Sequence, residues 1–165
     1  MDVEIVDADF ENAAHCAGLI DVLNSYAADP VGGGEPLAAE VCDRLVPALR
    51  EHPTSLVLLA VARGCPVGIA VCFLGFSTFR ARPLLNIHDL AVLPEWRGKG
   101  VGRSLLAAAE DRARRRGCCR LTLEVQDDNE RARGLYGSFG FSDLTMGDSG
   151  PTRFLTKPVD APTGA

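Results

Sequence analysis

The feature that most constrains the fold of this chain is a glycine-rich turn, Arg97-Gly-Lys-Gly-Val-Gly-Arg103, between a strand pattern at residues 84–93 and a helix pattern. At such a junction the first N–H groups of the helix have no partner, and they lie at the positive end of the helix dipole. Glycines let a ligand approach the backbone closely, and the three cationic side chains attract anions. The turn therefore predicts a binding site for a phosphate-bearing ligand.

The spacing of the glycines excludes two common phosphate motifs. A Walker A loop needs a glycine five residues before Gly98, where Leu93 stands, and its Gly-Lys pair must precede Ser or Thr rather than Gly100. A dinucleotide-binding fingerprint needs its third glycine where Arg103 or Leu105 stands. The turn therefore belongs to another class of phosphate site.

The pattern that remains is Arg-x-x-Gly-x-Gly, formed by Arg97, Gly100 and Gly102. A second segment, residues 129–141, reads Asn-Glu-Arg-Ala-Arg-Gly-Leu-Tyr-Gly-Ser-Phe-Gly-Phe. Together the two segments resemble the GNAT superfamily of N-acetyltransferases, in which the second signature is Asn-x-x-Ala/Ser-x-x-x-Tyr-x-x-x-Gly-Phe. The resemblance is close over residues 86–141 and weaker toward the start of the chain.

The resemblance implies an α/β (α+β) fold, with a mixed, mostly antiparallel central sheet of six to seven strands flanked by about four helices. Alternation of apolar residues predicts strands at residues 3–6, 56–61, 67–74, 84–93, 121–125, 141–146 and 152–157. Helical periodicity predicts helices after Asp9 and at residues 37–50, 101–116 and 132–139. We expect one domain over residues 1–158, a loop at 28–36 and a flexible tail at 159–165.

By the same resemblance, the co-substrate is acetyl-coenzyme A; the residue spacing separately leads us to expect no metal. In that family the turn holds the coenzyme A pyrophosphate, the preceding strand pairs with the pantetheine arm, and the following helix starts at the phosphates. The residues that the resemblance assigns to cofactor binding are Leu90, Ala91, Val92, Arg97, Gly98, Lys99, Gly100, Val101, Gly102, Arg103, Asn129 and Tyr136. Asn129 also suits the N-cap of the helix that follows it.

The catalytic candidates are His88 and Tyr136. An amine that is mostly ammonium at neutral pH must lose a proton before it attacks a thioester, and His88 is the favoured acceptor, ahead of Asp89 and Glu124. Strand alternation predicts that His88 shares a face with Asn86, Leu90 and Val92, and that Asp89 points the other way with Ile87 and Ala91. Tyr136 is expected to protonate the leaving thiolate. Direct attack in a ternary complex is implied, without an acyl-enzyme.

Charge and composition narrow the partners. Seventeen basic and 22 acidic side chains give a net charge of −5, which repels nucleic acid at long range. No apolar run approaches the ~20 residues of a membrane span, and the acidic start differs from a secretory signal, so we expect a cytoplasmic protein that binds no membrane. The six cysteines lack the spacing of zinc ligands. A homodimer is a further expectation.

The sequence leaves the acceptor open. A small-molecule amine is favoured over a protein N-terminus or a lysine side chain. Two alternatives come from other classes: a non-catalytic module that binds coenzyme A, and a phosphate-binding regulator unrelated to acetyl transfer. The basic run at residues 112–116 is interpreted as a solvated helix end, although contact with the 3′-phosphate of the coenzyme is an alternative.

Overall fold

A five-stranded sheet forms the centre of the protein, which the computed structural model describes at residues 2–145, 148, 150 and 152–159. The strands lie in chain order across the sheet, and each of the first four pairs antiparallel with its neighbour, whereas the fifth is parallel to the fourth. The strands are β1 (Glu4–Asp7), β2 (Ser55–Ala62), β3 (Cys65–Ser77), β4 (Arg82–Val92) and β5 (Leu121–Leu123).

Four α-helices cover the sheet: α1 (Ala13–Ala27), α2 (Ala39–Glu51), α3 (Val101–Arg115) and α4 (Glu130–Phe139). The cap of α1 is Asn12, whose side chain accepts hydrogen bonds from the N–H groups of Ala14 and His15. Helix α2 continues through Pro47. None of the helices in the described part of the chain has both the length and the apolarity needed to cross a membrane.

The sheet separates two apolar clusters, one on each face. Helix α3 packs on one face through Leu105 and Leu106, which are fully buried beside Leu58 of β2. Helices α1 and α2 cover the other face, where Leu19 and Leu59 are buried. Because both faces are covered, the central strands read as nearly continuous apolar runs rather than as a strict alternation.

A β-bulge interrupts β4 at His88. Val71 of β3 lies opposite Asp89, and the next residue, Cys72, lies opposite Ile87, so that His88 has no partner on β3. One extra residue on a strand turns the side chains of all residues beyond it to the opposite face of the sheet. The bulge therefore decides which side chains of β4 face each helix layer.

The bulge makes two predictions about strand faces wrong. Leu90 and Val92 pack with the α3 cluster, as Ile87 does, whereas Ala91 packs with the α1 and α2 cluster. The ring of His88 packs edge-on against Phe73, which belongs to the α1 and α2 side, with 5.6 Å between the ring centroids. His88 therefore does not share the face of Leu90 and Val92, and Asp89 does not share that of Ile87.

Strands β4 and β5 pair over only three residues. Leu85, Asn86 and Ile87 lie opposite Leu121, Thr122 and Leu123, where β5 ends. The expected strand 121–125 is thus two residues shorter. Because β4 continues to Val92, its edge beyond the bulge has no strand partner within the described residues.

The fold class agrees with the prediction, but the described residues contain five strands rather than six to seven. Residues 141–144 and 152–157 are not strands, and Met146 lies outside the described residues. The two segments do lie side by side, since the N–H of Thr152 donates to the Leu144 carbonyl at 2.9 Å. Phe154 and Leu155 are 72% and 85% exposed, so the apolar alternation there does not correspond to burial against the sheet. Of the expected tail, residues 160–165 also lie outside the described residues.

Candidate functional site

A cleft of about 730 Å³ opens where β4 and β5 separate. The end of α1, the loop that follows it, the second half of β4, the glycine turn, the start of α3 and helix α4 line its walls. The structure brings nearly all of the predicted site residues to this one cleft: His88, Leu90, Ala91, Val92, Arg97, Gly98, Gly100, Val101, Gly102, Arg103, Asn129 and Tyr136. Lys99 is the exception, because its ammonium group lies over the ring of Trp96, 5.4 Å from the centroid.

The start of α3 provides free backbone donors to the cleft. Its N-cap is Gly100, which has a left-handed backbone (φ 83°), and no side chain caps the helix. The first N–H groups of α3 therefore have no capping side chain and remain available as hydrogen-bond donors. A Cβ atom added at Gly100 would have no neighbour within 4 Å, so glycine is required there by its backbone conformation rather than by crowding.

Gly102 has a different role from the other glycines of the turn. A Cβ atom at this position would lie 3.2 Å from Cδ2 of Leu135 in α4. The missing side chain therefore allows α3 and α4 to approach each other. In this way one glycine of the motif shapes the cleft wall without needing to touch a ligand.

Arg97 is fixed by two contacts. Its Nε donates to the carbonyl of Val92 at 2.9 Å, and its Nη1 donates to Oδ2 of Asp29, also at 2.9 Å. The two side chains of this ion pair are 21% and 20% exposed. The hydrogen bond from the N–H of Val31 and that from Arg97 lower the pKa of Asp29. Arg97 thus joins the glycine turn to the loop that follows α1.

Two further arginines contribute positive charge to the cleft. Arg103 donates to Oγ of Ser138 at 3.1 Å, and its guanidinium lies 5.5 Å from the centroid of Phe139. Arg131 of α4 also lines the cleft, and its charge helps to lower the pKa of Asp29. The sequence analysis missed Arg131, although it stands inside the Asn-x-x-Ala signature, at a position where the signature allows any residue.

Helix α4 brings Asn129 and Tyr136 to the cleft. The Asn129 side chain caps the helix by accepting a hydrogen bond from the N–H of Ala132 at 3.2 Å, as the sequence predicts. Tyr136 packs against Phe141 with 5.9 Å between the ring centroids. Burial, and secondarily the neighbouring Tyr26, raises the pKa of Tyr136 to about 12. Its phenol therefore keeps its proton at any physiological pH.

Tyr26 is a functional candidate that the sequence analysis missed. It stands in the last turn of α1 and lines the cleft. Burial raises the pKa of Tyr26, and the carboxylates of Asp89 and Asp29 raise it further. Tyr26 thus shares the cleft with Tyr136 and with both of these carboxylates. A single aromatic residue at a helix end carries no local signal that would have predicted this.

The β4 bulge places two titratable groups side by side in the cleft. His88 is exposed and Asp89 is half-buried, and both line the cleft. Burial raises the pKa of Asp89, while the positive charge of a protonated His88 opposes that effect. Glu124 lines the facing wall, and its Oε1 accepts a hydrogen bond from Nδ2 of Asn86 at 3.4 Å. In the described part of the chain, no three His, Cys, Asp or Glu side chains gather closely enough to hold a metal.

The basic run at the end of α3 is engaged in ion pairs away from the cleft. Arg112 pairs with Asp7 and Asp111, and Arg115 also pairs with Asp111. Arg114 pairs with Glu110 one turn earlier. These residues do not line the cleft, which supports their interpretation as a solvated helix end.

The glycine turn and the second signature, which carry the resemblance to N-acetyltransferases, meet in one cleft. The sequence model of the Acetyltransferase (GNAT) family matches residues 19–141, and the chain belongs to this family.

The chain is also similar to several individual proteins. It is 37% identical over 81 residues to thialysine N-epsilon-acetyltransferase of Bos taurus, covering 49% of this chain and 47% of that protein. It is 35% identical over 95 residues to the uncharacterized N-acetyltransferase YhfO of Bacillus subtilis, covering 58% of this chain and 64% of that protein. The matched region thus spans about half of the first relative and less than two thirds of the second. A solved integron cassette protein from V. cholerae shares the fold with a TM-score of 0.75 and 25% identity, covering 94% of each chain.

Proposed function

We propose that this protein transfers an acetyl group from acetyl-coenzyme A to a primary amine, by direct attack within a ternary complex. The observation that carries the proposal is the continuity of one cleft. The unpaired edge of β4 leads directly into the uncapped start of α3. Such an edge offers backbone hydrogen bonds to the amides of a pantetheine arm, and the helix start offers N–H groups to a diphosphate.

The cofactor lies along this edge in the proposed complex. The turn from Arg97 to Arg103 holds the diphosphate, and residues 90–92 pair with the pantetheine arm. This direction brings the thioester toward the bulge of β4, beside His88 and across from Tyr136. A backbone N–H of residues 90–92 then stabilises the oxyanion that forms when the amine attacks.

In the proposed mechanism, His88 accepts the proton that the ammonium group must lose, directly or through water. The Asp89 carboxylate beside it attracts the charged imidazolium that results. Tyr136 then donates a hydrogen bond to the leaving thiolate, and its raised pKa supports this role because the phenol is fully protonated.

Direct transfer is further supported by the protonation state of Cys72, whose thiol lies within the electrostatic influence of Asp89. Burial raises the pKa of Cys72 to about 12, and the Asp89 carboxylate adds to the effect. A cysteine nucleophile must be a thiolate, which this environment strongly disfavours. The amine itself is therefore the proposed nucleophile.

The proposed acceptor is a small, cationic amine. Two carboxylates, Asp89 and Glu124, line the cleft near the bulge, whereas the third, Asp29, is already paired with Arg97. Because such a concentration of negative charge favours cations, it favours an ammonium-bearing substrate over a neutral one. The similarity to thialysine N-epsilon-acetyltransferase, whose name denotes a small amine acceptor, points in the same direction.

Two measurements test the proposed function separately. Thiol release from acetyl-coenzyme A is followed with a panel of small amines, lysine-containing peptides and free peptide N-termini. Binding is followed through the emission of Trp96, the only tryptophan of the chain, which lines the cleft. Release that depends on a small amine supports the proposal. Cofactor binding with no release from any amine assigns the chain to non-catalytic modules, and absence of binding refutes the cofactor assignment.

The role of His88 has its own test. His88→Gln is expected to lower kcat/KM by at least 10²-fold near neutral pH, since general base catalysis contributes about 10²–10⁴-fold. The acidic limb of the pH profile should also disappear. The matched control is His52→Gln, because His52 also packs against the Phe73 ring but does not line the cleft. An unchanged pH profile in His88→Gln would transfer the role to Asp89 or Glu124.

We also propose a cytoplasmic location and a homodimer. All six cysteines are free thiols, and Cys65 is exposed, which fits a reducing compartment. At the tip of the β3–β4 hairpin, Phe76 is 63% exposed and Phe79 is 87% exposed, and large exposed apolar side chains mark interaction surfaces. Sedimentation velocity of the wild type and of Phe79→Ser tests the dimer, which the substitution should weaken.

A further inference from the structure

The loop after α1 is attached to the glycine turn by one ion pair, between Asp29 and Arg97. The residues are 68 positions apart in the chain, and their side chains meet at 2.9 Å with about a fifth of each exposed. At this level of burial, the ion pair is screened less by water and salt than a surface pair is. The other carboxylate oxygen of Asp29 accepts a hydrogen bond from the N–H of Val31 at 3.1 Å. Asp29 therefore organises its own loop and holds it to the turn.

The loop held by this ion pair also packs against the backbone of Tyr26. The carbonyl of Asp29 accepts hydrogen bonds from the N–H groups of Gly32 at 2.8 Å and Gly34 at 3.1 Å. Gly32 in turn packs so closely on the backbone carbonyl of Tyr26 that no Cβ atom fits between them. The position of Asp29 thus fixes the loop against the last turn of α1, where Tyr26 lines the cleft.

Arg97 can hold the loop and a diphosphate at the same time. A guanidinium has five N–H donors, and the structure uses Nε for Val92 and Nη1 for Asp29. Among the described residues the other donors have no partner, so they can meet a phosphate oxygen. Positive charge between two anions also offsets the repulsion between the Asp29 carboxylate and the diphosphate.

We propose that Asp29 is a positioning residue for the amine acceptor. Its ion pair with Arg97 holds the loop of residues 28–36, and with it Tyr26, against the acceptor half of the cleft. This inference rests on the proposed acetyl transfer. It adds that the loop of residues 28–36, which borders the proposed acceptor position, is held to the glycine turn proposed to bind the cofactor. Asp29 itself touches neither reacting atom in this arrangement.

The test uses Asp29→Asn, which keeps an oxygen for the N–H of Val31 and removes the charge that Arg97 binds. We expect the KM for the amine to rise about tenfold, the low end for loss of a charge-assisted hydrogen bond. Acetyl-coenzyme A affinity, read from Trp96 emission, should change less than about twofold. Amide hydrogen exchange over residues 31–34 should become faster.

The matched control is Glu11→Gln, which removes the 3.5 Å pair between Glu11 and Arg50 outside the cleft and should leave all three readouts unchanged. In an Arg97→Gln background, Asp29→Asn should have no further effect on the amine KM. An unchanged amine KM in Asp29→Asn refutes the proposal, and so does an equal loss of cofactor affinity. If the wild type transfers acetyl to no amine, the proposed function itself fails. Unchanged amide hydrogen exchange at residues 31–34 in Asp29→Asn would separately refute the attachment of the loop to Arg97.

Discussion

Replacing Tyr136 by phenylalanine removes one hydroxyl group from the cleft and leaves the ring that packs against Phe141. The size of the effect depends on whether the phenol transfers its proton or only donates a hydrogen bond. The pKa of Tyr136 is about 12, whereas that of a thiol is ~8.5. Full transfer to the thiolate is therefore uphill by about 5 kcal/mol, so we expect a hydrogen bond with the proton retained. A hydrogen bond to a charged group contributes ~1.5–3 kcal/mol.

The expected loss in kcat for Tyr136→Phe is therefore about 10- to 150-fold, with the KM for the amine little changed. The assay is steady-state thiol release at saturating acetyl-coenzyme A, with the wild type measured from pH 6 to 10. The wild type should show no alkaline loss of activity from this phenol, because its pKa lies above that range. A loss below about threefold, or above about 10³-fold, would refute the hydrogen-bond role. The melting temperature controls for folding.

Three further predictions concern stability. Gly134→Ala in exposed α4, where a Cβ atom meets nothing within 4 Å, should stabilise the protein by ~0.5–1 kcal/mol, seen as a higher melting temperature. Gly100→Ala should destabilise it by ~1–2 kcal/mol because of the φ of 83°, and a full-strength cofactor titration in that variant would contradict the role of the turn. Burial raises the pKa of Asp89 because it disfavours the charged carboxylate. As the pH rises through that pKa, the carboxyl ionises and the folded wild-type protein loses stability. Asp89→Asn should therefore gain in melting temperature relative to wild type as the pH rises from 3.8 through that raised pKa, and a constant difference would refute this.

The sequence predicted the location of residues well where that location depends on local structure. The spacing of Arg97, Gly100 and Gly102 describes a turn whose geometry depends on neighbouring residues, and the cleft contains all three. Asn129 caps α4 as predicted because capping involves residues only three positions apart. The order of strands and helices also follows from local periodicity.

The features that the sequence did not predict depend on distant partners. The bulge at His88 is defined by its register against β3, and one extra residue inverted the predicted faces of Leu90 and Asp89. The pairing of Arg97 with Asp29 joins two segments that no local pattern connects. The apolar alternation at residues 152–157 resembles a strand, but whether a strand forms depends on an available edge, and Leu155 is largely exposed.

The short pairing between β4 and β5 means that the sheet carries an internal open edge. Within the described residues, residues 88–92 have no strand partner on the side of β4 that lines the cleft, although the Val92 carbonyl accepts a hydrogen bond from Nε of Arg97. A bound pantetheine arm would then serve as a substitute strand, and the ligand would complete the secondary structure of its host. In the absence of the cofactor, the same edge is open to an extended peptide from another chain, so the free protein should be the more prone to self-association on storage.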